Sequence, residues 1–347
     1  MALGEQVVVL NGRVPARVTV TDVAREAGVS TATVTRALQE SPQVIPATRQ
    51  RVVEAAQRLG YTPNATARDL RRGHRTAAVG LVTAGFTNMF QAGVAAGAER
   101  ELRGAGLQLL IGSTDDDAAR EPELARTMVD RRVSALIMMP DGRDRGFLRE
   151  DKTFGTPVVL AGRPANGLDL DVVMTEDDRG VYEATSQLLR LGHRRIAALA
   201  GHAGSFRATQ RLSGFRNALA EQGVDEVPEL VATGLRTTDE ARAIAGRLLA
   251  GAAAPTAILA LNLGISTGVL LDRIANRRAV AFIALDETEL SAGLGISAVT
   301  RDPQAVGREA AKLAIQRIAS PGLPGRTVTL PSKLVKRGSG ELPPARG

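Results

Sequence analysis

The apolar positions of this chain follow two different rhythms. Between residues 19 and 59 they recur at three- and four-residue spacing: Val23, Ala27, Val29, Val34 and Leu38, then Val52, Val53, Ala56 and Leu59. That spacing predicts three short amphipathic helices. From Ala77 onward the rhythm changes to short apolar runs: 77–82, 107–111, 135–139, 157–160, 171–174, 195–200, 257–261 and 280–285. Between most of them lie amphipathic stretches at 91–106, 121–132, 180–192 and 208–223. Near-continuous apolar strands separated by helices imply parallel sheets covered on both faces. Two successive series of such units predict an α/β body of two lobes with a cleft between them.

The N-terminal helices carry chemistry of their own. In TVTDVAREAGVSTATVTRAL (19–38), Ala24 and Gly28 are four apart. A helix-turn-helix needs such a pair: a small side chain where the helices approach and a residue free to take positive φ in the turn. Thr19 with Asp22 forms a capping-box-like start to the first helix, and Ser30 caps the second. The second helix is left with Thr31, Ala32, Thr33 and Arg36 facing outward. Short polar groups beside one guanidinium suit a helix pressed into a DNA major groove. Residues 46–59 supply the third helix, which opens on Pro46 with no capping side chain at Ile45.

Charge supports a division of labour. Of the net +7 of the 347 residues, +5 falls in residues 1–75, leaving the remainder close to neutral. A basic module on a near-neutral body fits phosphate binding at one end. There is no cysteine, which removes disulfides and thiolate metal sites. His74, His193 and His202 have no metal-binding spacing, so no metal or cofactor is expected. No nucleophile elbow, phosphate loop or supported carboxylate pair points to an enzyme. The glycines of GAGLQLLIG (104–112) precede their strand, so they do not make a dinucleotide turn. The VVVL run within residues 1–17 is too short for a signal-peptide core. The charge-free stretch 256–271 reads as a strand-to-helix unit rather than a membrane span. A cytoplasmic protein with no membrane partner is expected.

TVTDVAREAGVSTATVTRAL, then TR…V…A…LGYTPN..A..L, matched over residues 19–70 almost without gaps, closely resembles the headpiece and hinge of the lac repressor (LacI) family of bacterial transcription regulators. The resemblance extends to about residue 337, where GRTVTLPSKLVKRGS closes in the family manner. It implies five segments: a disordered arm (1–17), a helix-turn-helix headpiece (18–62), a hinge helix and linker (63–75), a two-lobed, periplasmic-binding-protein-like effector and dimerisation domain (76–337), and a flexible tail (338–347). In the DNA-binding part it places Thr31, Ala32 and Arg36 on base edges, with Ser30 opening their helix. Thr21 and Thr33 are assigned to phosphates. Asn64, Ala67 and Leu70 fall on a hinge that folds on DNA, Leu70 wedging into the minor groove.

In the body the resemblance implies chain crossovers near residues 161, 289 and 322. Its effector-binding positions are Phe90, Arg163, Asp178, Arg211, Asn262 and Asp286. The chain departs from the family pattern at Gly162, Leu263 and Ala84-Gly85, which each stand where an acidic residue is usual, so a less polar pocket is expected. The implied function is that of a regulator, most simply a repressor. It would bind a pseudopalindromic operator in double-stranded DNA as a homodimer, controlled by a small ligand, a sugar or related metabolite, in the cleft. A regulator of the same kind with no effector is the nearest alternative. A solute-binding protein would need an export signal and would leave the headpiece unused.

Overall fold

The computed structural model describes residues 18–61, 76–86, 88–142, 144–202 and 204–344. The expected N-terminal arm and the hinge positions Asn64, Ala67 and Leu70 lie outside the described residues. The chain divides into two compact units, one up to residue 74 and one from residue 75.

The first unit holds α1 (Val20–Ala27), α2 (Thr31–Leu38) and α3 (Pro46–Leu59). Its start is a full capping box: the Asp22 amide donates to the Thr19 hydroxyl oxygen, and the Asp22 carboxylate accepts from the Thr19 amide at 2.9 Å. Gly28 ends α1 at φ 67, and the Val29 amide closes the turn on Ala24 O at 3.0 Å. A Cβ at Gly28 would meet nothing within 4 Å, so glycine is required there by the left-handed backbone and not by crowding. Val23, Ala24, Ala27, Val34, Ala37, Val44, Val52, Ala55 and Ala56 form the core, with Val29, Leu38 and Leu59 half-buried around it. Pro46 opens α3 and Ile45 makes no side-chain cap.

The second unit contains two six-stranded sheets. The first has the order β11-β5-β4-β3-β1-β2 and is parallel throughout. Its strands are β1 (Thr76–Thr83), β2 (Gln108–Ser113), β3 (Val133–Met138), β4 (Val158–Ala161), β5 (Asp171–Thr175) and β11 (Thr327–Leu330). Packed around it are α4 (Met89–Gly104), α5 (Glu121–Asp130), the single turn α6 (Glu150–Thr153) and α11 (Pro303–Ala319). The second sheet has the order β12-β10-β9-β8-β6-β7. It comprises β6 (Ile196–Leu199), β7 (Val231–Ala232), β8 (Ala257–Ala260), β9 (Ala281–Leu285), β10 (Ser297–Thr300) and β12 (Lys333–Val335), of which only β12 pairs antiparallel. Around it lie α7 (Asp177–Arg190), α8 (Phe206–Glu221), α9 (Thr238–Ala250) and α10 (Leu263–Ala275). Each sheet carries two buried apolar clusters, as a sheet covered on both faces requires.

Two expectations are corrected. The chain passes between the sheets after β5, after β10 and after β11, at residues 175–177, 300–303 and 330–333, and not near 161, 289 and 322. The first passage comes late because the apolar run at 171–174 pairs with β4 and β11 and belongs to the first sheet rather than opening the second. The expected flexible tail is packed through residue 342. The Ser339 hydroxyl donates to Phe282 O at 2.6 Å and accepts from the Ser297 amide at 2.9 Å, and Glu341 accepts from Ser297 Oγ at 2.7 Å. Buried His193 joins the Thr256 hydroxyl at 2.8 Å through Nδ1 and Leu342 O at 2.9 Å through Nε2.

Two helices of the first lobe touch at their backbones. A Cβ on Gly307 of α11 would stand 1.9 Å from Val94 O of α4, and one on Gly97 would stand 2.1 Å from Gln304 O. Only hydrogen fits at either point.

Candidate functional site

The headpiece presents one polar face built by capping and packing together. Ser30 Oγ accepts from the Thr33 amide at 3.1 Å and shares a 2.9 Å hydrogen bond with the Thr33 hydroxyl. This fixes the first turn of α2. Val34 and Ala37 point into the core, which turns Thr31, Ala32 and Arg36 to solvent, with Thr33 half-buried. Thr21, in the first turn of α1, is also exposed. The backbone amides at the start of α2 and the exposed guanidinium of Arg36 offer donors on a convex surface, which suits phosphates and base edges.

The second site is a cluster of side chains at the carboxyl ends of the parallel strands, where α/β folds bind ligands. Phe90 follows β1, Asp141 follows β3, Arg163 follows β4, Asp177 follows β5, and Arg207 and Arg211 lie on α8 after β6. Asp286 ends β9 and Arg301 ends β10. The Asp177 carboxylate accepts from Arg211 Nε at 2.8 Å and Nη2 at 2.6 Å, from Arg301 Nη1 at 3.2 Å and from the Thr175 hydroxyl at 2.6 Å. Arg301 also donates to both oxygens of Asp286, from Nε at 2.9 Å and from Nη2. Arg211 Nη1 donates to Leu261 O at 2.8 Å. Arg163 donates to Gly162 O at 2.9 Å and to the Asp141 carboxylate. Arg207 reaches the same carboxylate only at 3.8 Å. A small cavity of about 10 Å³ remains among Phe90, Gly162, Thr175, Arg207, Gln210 and Arg301, room for a single water.

The electrostatics follow from burial and partners. Burial alone would raise the Asp177 carboxyl, but Arg301 and Arg211, helped by the Thr175 hydroxyl, hold it well below the usual carboxylate range. Burial likewise opposes the charge of Arg301, and Asp177 and Asp286 outweigh it, so its guanidinium is held above its ordinary value. Burial brings Arg211 down to about 10 against the pull of Asp177. Arg207 is brought down to about 9 by burial and by the neighbouring charge of Arg163, with Asp141 opposing. These three guanidiniums remain charged at neutral pH.

Phe90, Arg163, Arg211 and Asp286 come together in this cluster. Asp178 does not. Its carbonyl faces Gly214 of α8, where a Cβ would stand 2.0 Å away, and its side chain is exposed. The preceding carboxylate, Asp177, takes the buried place. Asn262 sits at the end of β8, but its side-chain oxygen caps α10 by accepting from the Ile265 amide at 3.2 Å. Sequence reasoning missed Asp141, Asp177, Arg207 and Arg301. The available signal was position: each stands within a few residues of a strand's carboxyl end or opens the helix after it. The expectation of a less polar pocket is corrected as well. Gly162 has φ 74, a backbone that disfavours a carboxylate side chain, yet the cluster around it is densely charged.

Comparison with known proteins agrees with this division. The profile of bacterial regulatory proteins of the lacI family matches residues 19–64, and that of a periplasmic binding protein-like domain matches residues 185–340. The HTH-type transcriptional regulator CelR of Thermobifida fusca is 31% identical over 338 residues, 93% of this chain and 98% of that protein. Among solved structures, a transcriptional regulator CelR–cellobiose complex covers 93% of this chain and 100% of its own at 29% identity and a TM-score of 0.69. The lac repressor dimer bound to operator and an anti-inducer shares the fold, with a TM-score of 0.81 at 22% identity over 93% of this chain and 99% of its own. Among the described residues no group of acidic or histidine side chains could hold a metal, and no helix is long and apolar enough to cross a membrane.

Proposed function

The chain belongs to the LacI family of bacterial transcription regulators, and from that premise we propose that it is a cytoplasmic repressor that binds a pseudopalindromic operator as a homodimer and answers to a small ligand in its cleft. The observation that carries the reading is the face of α2. Thr31, Ala32 and Arg36 are free of the core and Ser30 locks the turn that aims them. In this reading Thr31, Ala32 and Arg36 read base edges, Ser30, Thr21 and Thr33 set register on phosphates, and Asn64, Ala67 and Leu70 belong to a hinge that orders on DNA. The working division is headpiece 18–62, hinge and linker 63–75, and an effector domain from 76.

A second copy of the chain is supported by apolar side chains left in water on the second unit. Leu271 and Ile274 of α10 are 40% and 55% exposed, and Leu290 and Leu294 are exposed in the segment after β9. Leu110 and Ile111 stand on the edge strand β2. Exposed apolar groups gathered on particular elements mark association surfaces. Two headpieces related by a two-fold axis fit a site of about 14–20 bp.

For the ligand, the solved complex of CelR with cellobiose supports a carbohydrate or related metabolite, and Phe90, Arg163, Arg211 and Asp286 supply an aromatic face and polar groups for it. Asn262 and Asp178 stand outside the paired cluster and are proposed as further polar contacts to the ligand. The rival reading is a regulator of the same kind with no small-molecule effector. Selection of bound genomic fragments by the purified full chain at moderate salt tests the proposal. A single enriched palindromic sequence, with a dimer in solution, is expected, and recovery of random fragments would refute it.

A further inference from the structure

We propose that the ligand of the cleft is a small anion-bearing molecule, a sugar phosphate or sugar acid rather than a neutral sugar, whose anionic group is held by Arg207. The proposal rests on the cleft reading given above. The charges of the cluster do not balance: Arg163, Arg207, Arg211 and Arg301 face Asp141, Asp177 and Asp286. The excess is local. Arg211 and Arg301 are satisfied by Asp177 and Asp286, and Arg163 holds Asp141 closely. Arg207 is left with a shared carboxylate at 3.8 Å, and its Nε is buried without a hydrogen-bond partner. An unpartnered buried donor on a charged group is costly.

Position on the helix sharpens the point. Arg207, Gln210 and Arg211 share one face of the first turns of α8. Cations at a helix N-terminus work against the macrodipole, and anions there are favoured. Arg207, the second residue of α8, is therefore held against the field of its own helix. Asp177 neutralises Arg211; among the described residues the carboxylate at ion-pair distance from Arg207 is Asp141, 3.8 Å away and already held by Arg163. The one-water cavity lined by Arg207, Gln210, Arg301 and the Asp177 carboxylate is too small for an anionic group, which would instead meet the partly exposed guanidinium of Arg207, with Gln210 and the positive end of α8 beside it. Asp116 shares the field of Arg207: it is raised by burial and by Asp141 and Asp115, and is drawn down by Arg236 and Arg207. A neutral polyol would find the other polar groups of the cluster already paired and would leave the charge of Arg207 uncompensated.

The test is thermal unfolding and calorimetry of the full chain with glucose, glucose 6-phosphate, gluconate and inorganic phosphate, at constant ionic strength set with sodium chloride. Stabilisation by glucose 6-phosphate or gluconate, none by glucose, and at least a tenfold loss of affinity in Arg207→Gln are expected. Arg207→Lys should retain part of the binding because it keeps the charge. The ligand-free Tm of Arg207→Gln should match or exceed that of the wild type, since an uncompensated charge is removed. Equal binding of glucose and its phosphate, anion binding that survives Arg207→Gln (an adventitious ion only), or no shift with any probe would each overturn the proposal. Operator binding by the same preparation is measured separately, so a failure of the regulator reading is distinguishable from a failure of the ligand class.

Discussion

The guanidinium of Arg301 lies over the ring of Phe90, 3.9 Å from its centroid. Phe90 belongs to α4 of the first lobe, whereas the carboxylate of Asp286 on the other side of Arg301 ends β9 of the second. One side chain at the second crossover thus meets an aromatic face from one lobe and an anion from the other. The arrangement ties the lobes through one buried charge.

Replacing the ring while keeping an apolar side chain isolates this contact. Phe90→Leu should cost about 2 kcal/mol, the scale of a desolvated cation–π pair. The cost should appear as a lower urea midpoint at an unchanged slope. No change in midpoint would mean that Arg301 is held by its carboxylates alone.

Asp177 makes stability depend on acid. Its carboxyl is held below its unfolded value of about 3.9, so the stability it contributes is complete above about pH 5 and is lost as pH falls toward the lower folded value. Asp177→Asn should cost about 3–5 kcal/mol at pH 7, because it leaves Arg211 and Arg301 short of a buried partner. The gap between wild type and variant should narrow as pH is lowered to 3. A gap independent of pH would assign the loss to packing.

Arg36 is exposed on α2 and ready to contact a base. Arg36→Ala should weaken operator binding by about 1–3 kcal/mol and relax preference at one base pair per half-site. Fluorescence anisotropy against a panel of single-base operator variants would read both effects. A uniform loss with preference unchanged would place Arg36 on a phosphate.

Gly307 tests the contact between α4 and α11. Alanine is favoured over glycine in a helix by about 1 kcal/mol, but a Cβ here would meet Val94 O at 1.9 Å. Overpacking of that kind costs about 3 kcal/mol, so Gly307→Ala should destabilise by about 2 kcal/mol in urea unfolding. A gain in stability would show that the helices separate freely.

Much of this was legible in the chain. The rhythm of Val23, Ala27 and Val34 gave the headpiece, and the apolar runs located eight strands of the two sheets. What escaped was information that is not local. β10 and β11 are short runs, SAVT and TVTL, whose place is decided by their sheet neighbours: β9 and β12 for β10, and, more than a hundred residues away in the sequence, β5 for β11. Missing β10 hid Arg301, which follows it. The choice of Asp177 over Asp178 is a matter of helix phase, since adjacent residues on α7 face about 100° apart. The close approach of Gly97 and Gly307 could not be distinguished from the many other glycines. The packed tail, GSGELPP, reads as a linker by composition, yet Ser339 and Glu341 find fixed partners.

The three crossovers bear on how the polypeptide is made. Neither sheet is complete until its last strand has left the ribosome: the first waits for β11, and the second for β12 and the clasp at Ser339. The headpiece, finished within the first sixty residues, emerges early and can assemble during elongation. Nascent copies would therefore display a formed reading head on an unfinished body, and truncated translation products would lose both lobes together rather than one.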